Sequence, residues 1–268
     1  MILEKIIETK KEEVAQLKKE TSQAQLQKNI AGLEPCHDFK KALQVGDCNI
    51  IAEVKCASPS RGRLIENFDP ISIAEVYEKN GAAAISVLTD EKYFSGHKDY
   101  LTQIKQNVSL PLLRKDFIID TIQIYETRAI GADAILLIVH VLGKKLAEFI
   151  LLSKEIGLSP LVEVHTQDEL DLALAADAEI IGINNRNLDT FDANIETSRK
   201  LRVRIPADKI IVTESGIKSR PDIELLMRAG INAFLIGEFL ITAPDIGKKL
   251  RTFKGELQND TSQNMRYN

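Results

Sequence analysis

Tryptophan is absent from all 268 residues, and aromatic residues make up only 5%. The chain therefore has no intrinsic tryptophan emission. Cysteine is scarce too: Cys36, Cys48 and Cys56 form no CxxC pair and no even set, which speaks against structural disulfides and for a reducing, cytoplasmic address. The four histidines, His37, His97, His140 and His165, never stand at HxxxH spacing and have no cysteine cluster beside them. No metal site is expected. No apolar run approaches the roughly 18 residues that cross a bilayer; the longest, 134–142 (AILLIVHVL), is interrupted by His140. The amino terminus, MILEKIIETKKEEV, carries glutamates where a signal peptide has its apolar core. Neither a membrane nor export is expected. With 35 Lys+Arg against 39 Asp+Glu the net charge is −4 and the pI about 5.7, so the broad basic field of a nucleic-acid binder is missing. There is no GxGxxG after the first apolar run and no GxxxxGK anywhere, so the nucleotide-binding versions of an open doubly wound sheet, the structural rival to a barrel, lose support.

What is present suits a globular protein, with 44% hydrophobic and 28% charged residues. The length fits two small domains or one large barrel. From Ile2 to about Gln27, Leu3, Ile6, Ile7, Val14 and Leu17 recur at mostly helical spacing with lysines and glutamates between them, predicting an amphipathic helix. It is expected to pack on its own domain, leaving a monomer; a weak dimer through this helix is the alternative. Gly32, Pro35 and Gly46 then mark a connecting stretch.

From there to about residue 253, short β-branched runs alternate with helical patterns. The predicted strands are 49–55, 83–89, 112–116, 134–139, 161–164, 180–184, 210–213 and 233–236. Helices are expected near 70–80, 98–107, 120–131, 143–157, 166–177, 193–203, 219–230 and 242–253. Asp69-Pro70 and Ser219-Arg220-Pro221 read as helix starts, and Gly81, Gly131, Gly157 and Gly230 as helix stops. Strand and helix alternation implies parallel pairing through right-handed crossovers. Eight units of about 25 residues account for roughly 200, the size of a (β/α)8 barrel. The expected organisation is an α/β chain: a TIM barrel over 49–254, an amino-terminal helical extension and linker over 1–48 packed on it, and a polar mobile tail over 255–268.

A barrel of this kind carries its active site at the carboxyl ends of its strands. Several charges sit there. Glu53 and Lys55 share one face of the first strand by period-two alternation. Lys115 ends the third, Glu163 lies between two valines in the fifth, Asn184 closes the sixth with Arg186 just beyond, and Glu214 follows the seventh. One such residue alone reads as a solvated rim; a set inside apolar strands must be paired or functional. After strands seven and eight, Ser215-Gly216 and Gly237-Glu238 stand where barrels hold phosphate with backbone N–H groups. Ser58, in the loop 58–62 (SPSRG), adds a hydroxyl there.

These segments together resemble one family. Residues 53–62 (EVKCASPSRG), 113–117 (LRKDF), 161–164 (LVEV), 183–188 (INNRNL) and 214–217 (ESGI) are similar to the motifs of indole-3-glycerol-phosphate synthases, in order and with that family's helical extension. The chain departs at Cys56, at 93–96 (YFSG) and at 239–241 (FLI), where Phe239 sets a bulky ring beside the phosphate turn.

The resemblance implies a cofactor-free carboxy-lyase of tryptophan synthesis acting on a small phosphorylated substrate. That substrate, 1-(2-carboxyphenylamino)-1-deoxyribulose 5-phosphate, undergoes ring closure, decarboxylation and dehydration to indole-3-glycerol phosphate. It implies Lys115 as general acid, a role helped if nearby Lys55 and Arg186 lower its pKa, and Glu163 with Glu53 as a carboxylate pair. Asn184, Glu214 and Ser215 would hold hydroxyls and amine, Lys55 and Arg186 the anionic groups, Ser58, Gly216, Gly237 and Glu238 the phosphate end, and Phe94, Phe117, Leu188 and Leu235 the aryl ring. The rival readings are another sugar-phosphate barrel, such as an aldolase with a Schiff-base lysine, and a non-catalytic binder.

Overall fold

The computed structural model describes residues 2–187 and 192–256. Eight parallel strands close on themselves: β1 (Asn49–Val54), β2 (Ala84–Leu88), β3 (Leu112–Lys115), β4 (Ala134–Ile138), β5 (Ser159–Val164), β6 (Ile180–Asn184), β7 (Ile210–Glu214) and β8 (Ala233–Ile236). Each pairs with the next in sequence, and β8 returns to β1 with Ile51 opposite Leu235. This is the (β/α)8 architecture, and it explains why the strands are buried almost without interruption. Outward residues such as Ile50, Ala52 and Val87 pack under the helices, while inward ones, among them Ile51, Leu113, Leu136, Leu161, Val212 and Leu235, fill the barrel. Phe39 and Leu43 join that inner cluster, and Asn49 donates its side-chain amide to the Leu43 carbonyl at 2.9 Å. The segment before β1 therefore stops the amino-terminal end of the barrel.

Local chemistry sets the helix boundaries. Asp69 accepts from the backbone N–H groups of Ile71 and Ser72 at 3.1 and 3.2 Å, starting the helix Pro70–Lys79. Gly131 takes a φ of 96° just past the helix Thr121–Ala129, a conformation that costs a residue without Cβ little.

Most boundaries shift by a few residues, and three differences have a local cause or add an element. The amino-terminal helix is two, α1 (Ile2–Glu20) and α2 (Gln23–Ile30), because the Ser22 hydroxyl accepts from the Gln25 N–H at 3.2 Å and begins a new helix. β5 starts two residues early, as Ser159 N–H donates to the Asp133 carbonyl at 2.9 Å and Pro160 needs no donor at the strand's start. The loop after β1 holds a small antiparallel pair, with Ala57 opposite Arg63 and Ser58 opposite Gly62.

The extension runs down the barrel's flank. Ile2, Leu3 and Ile6 of α1 reach the mouth, Val14 and Leu26 pack with Ile122 and Tyr125, and the linker ends beneath the barrel. No helix among the described residues is long and apolar enough to cross a membrane.

Candidate active site

Every expected site residue within the described chain lines one cavity at the carboxyl ends of the strands. Leu188 lies outside the described residues, as does the tail from residue 257. Strand periodicity explains the convergence. Glu53, Glu163 and Glu214 follow Ile51, Leu161 and Val212 at two-residue steps, so they continue the inward rows as the barrel opens.

At the centre is Lys115. Its Nζ lies 3.2 Å from Glu163 Oε2 and 3.0 Å from Glu214 Oε2, and both carboxylates are buried. Lys55 is engaged elsewhere, with its Nζ 2.7 Å from Glu53 Oε1. Lys115 therefore gathers Glu163 with Glu214, rather than Glu163 with Glu53.

The condition that Lys55 and Arg186 lower the Lys115 pKa is not met. Burial alone would push it down, but the charges of Glu214, Glu163 and then Glu53 outweigh burial and hold it raised. The two carboxyl groups are driven apart. Burial lifts Glu214 to about 7, against Lys115 and with the repulsion of Glu163. For Glu163, burial is outweighed by Lys115, His165 and a hydrogen bond from Asn184, leaving it below its ordinary value. Near neutrality Glu163 is thus ionised beside the Lys115 ammonium, while Glu214 is divided between its protonated and ionised forms. Such separated pKa values are what acid and base roles require.

The walls divide by chemistry. Phe94 and Phe117 form an apolar side with ring centroids 6.2 Å apart. Opposite, Ser215 and Gly216 take positive φ values of 67° and 75°, turning the loop after β7. Gly237 allows the loop after β8 to approach closely: a Cβ there would stand 2.2 Å from Glu53 Oε1. Oγ of Ser58 and Oε1 of Glu214 are buried without a hydrogen-bond partner among the described residues, as befits groups that meet a polar ligand. At the rim, Arg61 Nε lies 3.1 Å from Glu238.

Several contributors escaped the sequence reading. Asn185 donates to Thr213 Oγ1 at 2.9 Å and to the Ser215 carbonyl at 3.0 Å, while its Oδ1 accepts from the Ser198 N–H and hydroxyl at 3.1 and 2.8 Å. It pins the Ser215 turn from below. Lys10 of α1 is buried between Asp90 and Asp116; the available signal was its place on the Ile6 and Val14 face. His165 stands just past the end of β5, two residues after Glu163.

The family model for indole-3-glycerol phosphate synthase matches residues 3–253. The chain belongs to the indole-3-glycerol phosphate synthase family. Among its curated relatives, the indole-3-glycerol phosphate synthase of Desulforamulus reducens is 51% identical over 254 residues, covering 94% of this chain and 96% of the relative. That of Alkaliphilus metalliredigens is 49% identical over 260 residues, covering 96% and 99%. Solved structures show the shared fold at greater distance. A mutant tryptophan synthase alpha-subunit from Pyrococcus furiosus aligns with TM-score 0.59 at 16% identity, covering 78% of this chain and 98% of that one. KGPDC from Streptococcus mutans aligns with TM-score 0.60 at 14% identity, covering 79% and 97%.

Proposed function

We propose that Lys115, Glu163 and Glu214 are the acid and base groups of the family's reaction. In that reaction 1-(2-carboxyphenylamino)-1-deoxyribulose 5-phosphate closes its second ring and loses CO2 and water, giving indole-3-glycerol phosphate. The observation that carries this reading is the buried Lys115 ammonium between two carboxyl groups of unequal acidity.

The aryl carbon bearing the carboxylate attacks the sugar ketone, and the developing alkoxide needs a proton. Lys115, charged and desolvated, supplies it. The resulting iminium is itself the electron sink for loss of CO2. Dehydration then needs an acid for the leaving hydroxyl and a base for the remaining proton. Glu214, raised to about 7, gives a proton from its protonated form, and Glu163 is ionised and able to take one. Glu53 holds Lys55 in reach of the substrate carboxylate, and Arg186 lines the same cavity; Asn184 and Ser58 meet polar groups of the substrate. The Ser215-Gly216 and Gly237-Glu238 loops take the phosphate, and Phe94, Phe117 and Leu235 the aryl ring.

The reading includes a cytoplasmic monomer. Its support is that the three cysteines are free thiols and that Ile6 and Val14 of α1 are buried against the chain's own barrel. The decisive test is to add the carboxyphenylamino substrate and record indole fluorescence and CO2. With no tryptophan in the chain the product emission stands against tyrosine alone. Absence of both signals from folded protein overturns the reading.

A further inference from the structure

The Glu163 carboxylate has two basic neighbours. One is Lys115, from β3; the other is His165, whose Nε2 lies 3.4 Å from Glu163 Oε1. That Nε2 is buried and makes no hydrogen bond among the described residues, so its link to Glu163 is one of charge at close range. The ring's far side is held as firmly. His165 Nδ1 is 3.3 Å from Glu169 Oε2, and the same oxygen accepts the His165 backbone N–H at 2.6 Å. Glu169 belongs to the first turn of the helix Gln167–Ala175, where its own N–H donates to the Thr166 hydroxyl at 3.2 Å. Its other oxygen, Oε1, is 3.1 Å from Nδ1 of the exposed His140.

An ionised carboxylate only accepts hydrogen bonds. With a carboxylate oxygen 3.4 Å from Nε2 and another 3.3 Å from Nδ1, the surroundings favour an imidazole that carries a proton on both nitrogens. We propose that His165, held by Glu169, is a positioning residue for Glu163, set as an imidazolium on the side of the carboxylate away from Lys115. The proposal rests on the reading of Glu163 as the base. It gives a reason for a titratable ring beside the reacting centre that the reaction itself does not use.

The neighbouring charges agree. Around Glu163 stand Lys115 and His165, with the Asn184 amide from β6 and Glu214 from β7 across Lys115. His165 faces Glu169, Glu163 and Glu214. Burial alone would drive its pKa down, yet these acids outweigh burial and leave it raised. The arrangement applies the logic by which a carboxylate orients an imidazole in a catalytic triad, with the roles reversed.

The experiment compares His165→Asn, Glu169→Gln and His140→Ala with the unaltered protein across pH 5 to 9, measuring kcat and KM separately for the carboxyphenylamino substrate. In His165→Asn, Glu163 has lost one of two cations. The acid limb of kcat/KM should move up by about one pH unit, a loss of about tenfold on that limb that shrinks toward neutrality. The loss should appear in kcat rather than KM. Glu169→Gln should shift the limb in the same direction by less, and His140→Ala should leave it in place. A uniform loss at every pH, or a change in KM alone, overturns the proposal.

A second measurement needs no turnover. Followed by NMR without substrate, the His165 ring should titrate above the ordinary histidine range and come down in Glu163→Gln. A ring that titrates as free histidine overturns the pairing. Inactivity of the unaltered protein on this substrate would instead overturn the function, and the NMR result would still decide the contact.

Discussion

Lys10 Nζ lies 2.9 Å from Asp116 Oδ1, joining the helical extension to the residue next to Lys115. The same ammonium is 2.9 Å from Asp90 Oδ2 and 2.7 Å from Glu13 Oε2, and Lys10 is only 1% exposed. Asp90 caps the short helix that carries Phe94, accepting the N–H groups of Tyr93 and Phe94 at 2.8 and 3.2 Å. Asp116 accepts the Phe117 N–H at 2.8 Å and is bound by Arg114 and the Thr89 hydroxyl. One buried cation therefore ties together both loops of the apolar wall.

Replacing Lys10 with methionine should leave Asp90 and Asp116 buried with too little positive charge between them. Breaking such a cluster by removing one member costs about 3–5 kcal/mol. Urea unfolding should show that loss, and KM should rise as Phe94 and Phe117 lose their support. A stability change under about 1 kcal/mol, the range of an exposed pair, would refute it.

Lys115→Ala should fold, because Glu163 and Glu214 can share a proton once the ammonium is gone. Turnover should fall by about 10²–10⁴-fold, the usual contribution of a general acid. Single-turnover kinetics with indole fluorescence gives the comparison, and near-normal turnover in the folded variant would remove Lys115 from the chemistry.

The raised pKa of Glu214 has a sign that can be checked. If its protonated form is the acid for dehydration, kcat should decline as pH rises through about 7, where the group loses its proton. Glu214→Gln, unable to give a proton, should abolish that limb along with most of the activity. A limb that persists unchanged in Glu214→Gln would assign it to another group.

Gly237 is held to glycine by Glu53. The Cβ of Gly237→Ala would press within 2.2 Å of Glu53 Oε1 and displace the carboxylate from Lys55, its partner at 2.7 Å. A displacement on the order of 1 Å at a reacting group can cost about 100-fold in kcat/KM. Gly32→Ala, where an added Cβ would meet nothing within 4 Å, is the control and should leave activity unchanged. Equal activity in the two variants would show that Glu53 tolerates the shift.

The sequence by itself determined the periodic part of this protein. Alternation along each strand decides which side chains face inward, so Lys115, Glu163 and Glu214 could be placed at one mouth before any distance was known. Helix-stopping residues such as Gly131 and N-caps such as Asp69 act within a few positions of themselves and were legible for that reason. The splitting of the extension at Ser22 was not, since a serine in a polar stretch competes for the backbone only when its rotamer and the chain's turn allow it.

What tertiary structure alone decided is which charges meet. Lys10 looks like one more lysine on an amphipathic helix, and Glu169 like an ordinary first-turn acid. Closure of the barrel brings Lys10 against Asp116 and sets Glu169 behind His165. It also raises the Lys115 pKa where Lys55 and Arg186 would have lowered it, because the sign of a pKa shift depends on distances to charges brought in from other strands. Three carboxylates outweigh burial there, while Lys55 is occupied by Glu53. Periodicity is a property of a chain segment; the balance of burial and charge exists only once the strands have closed.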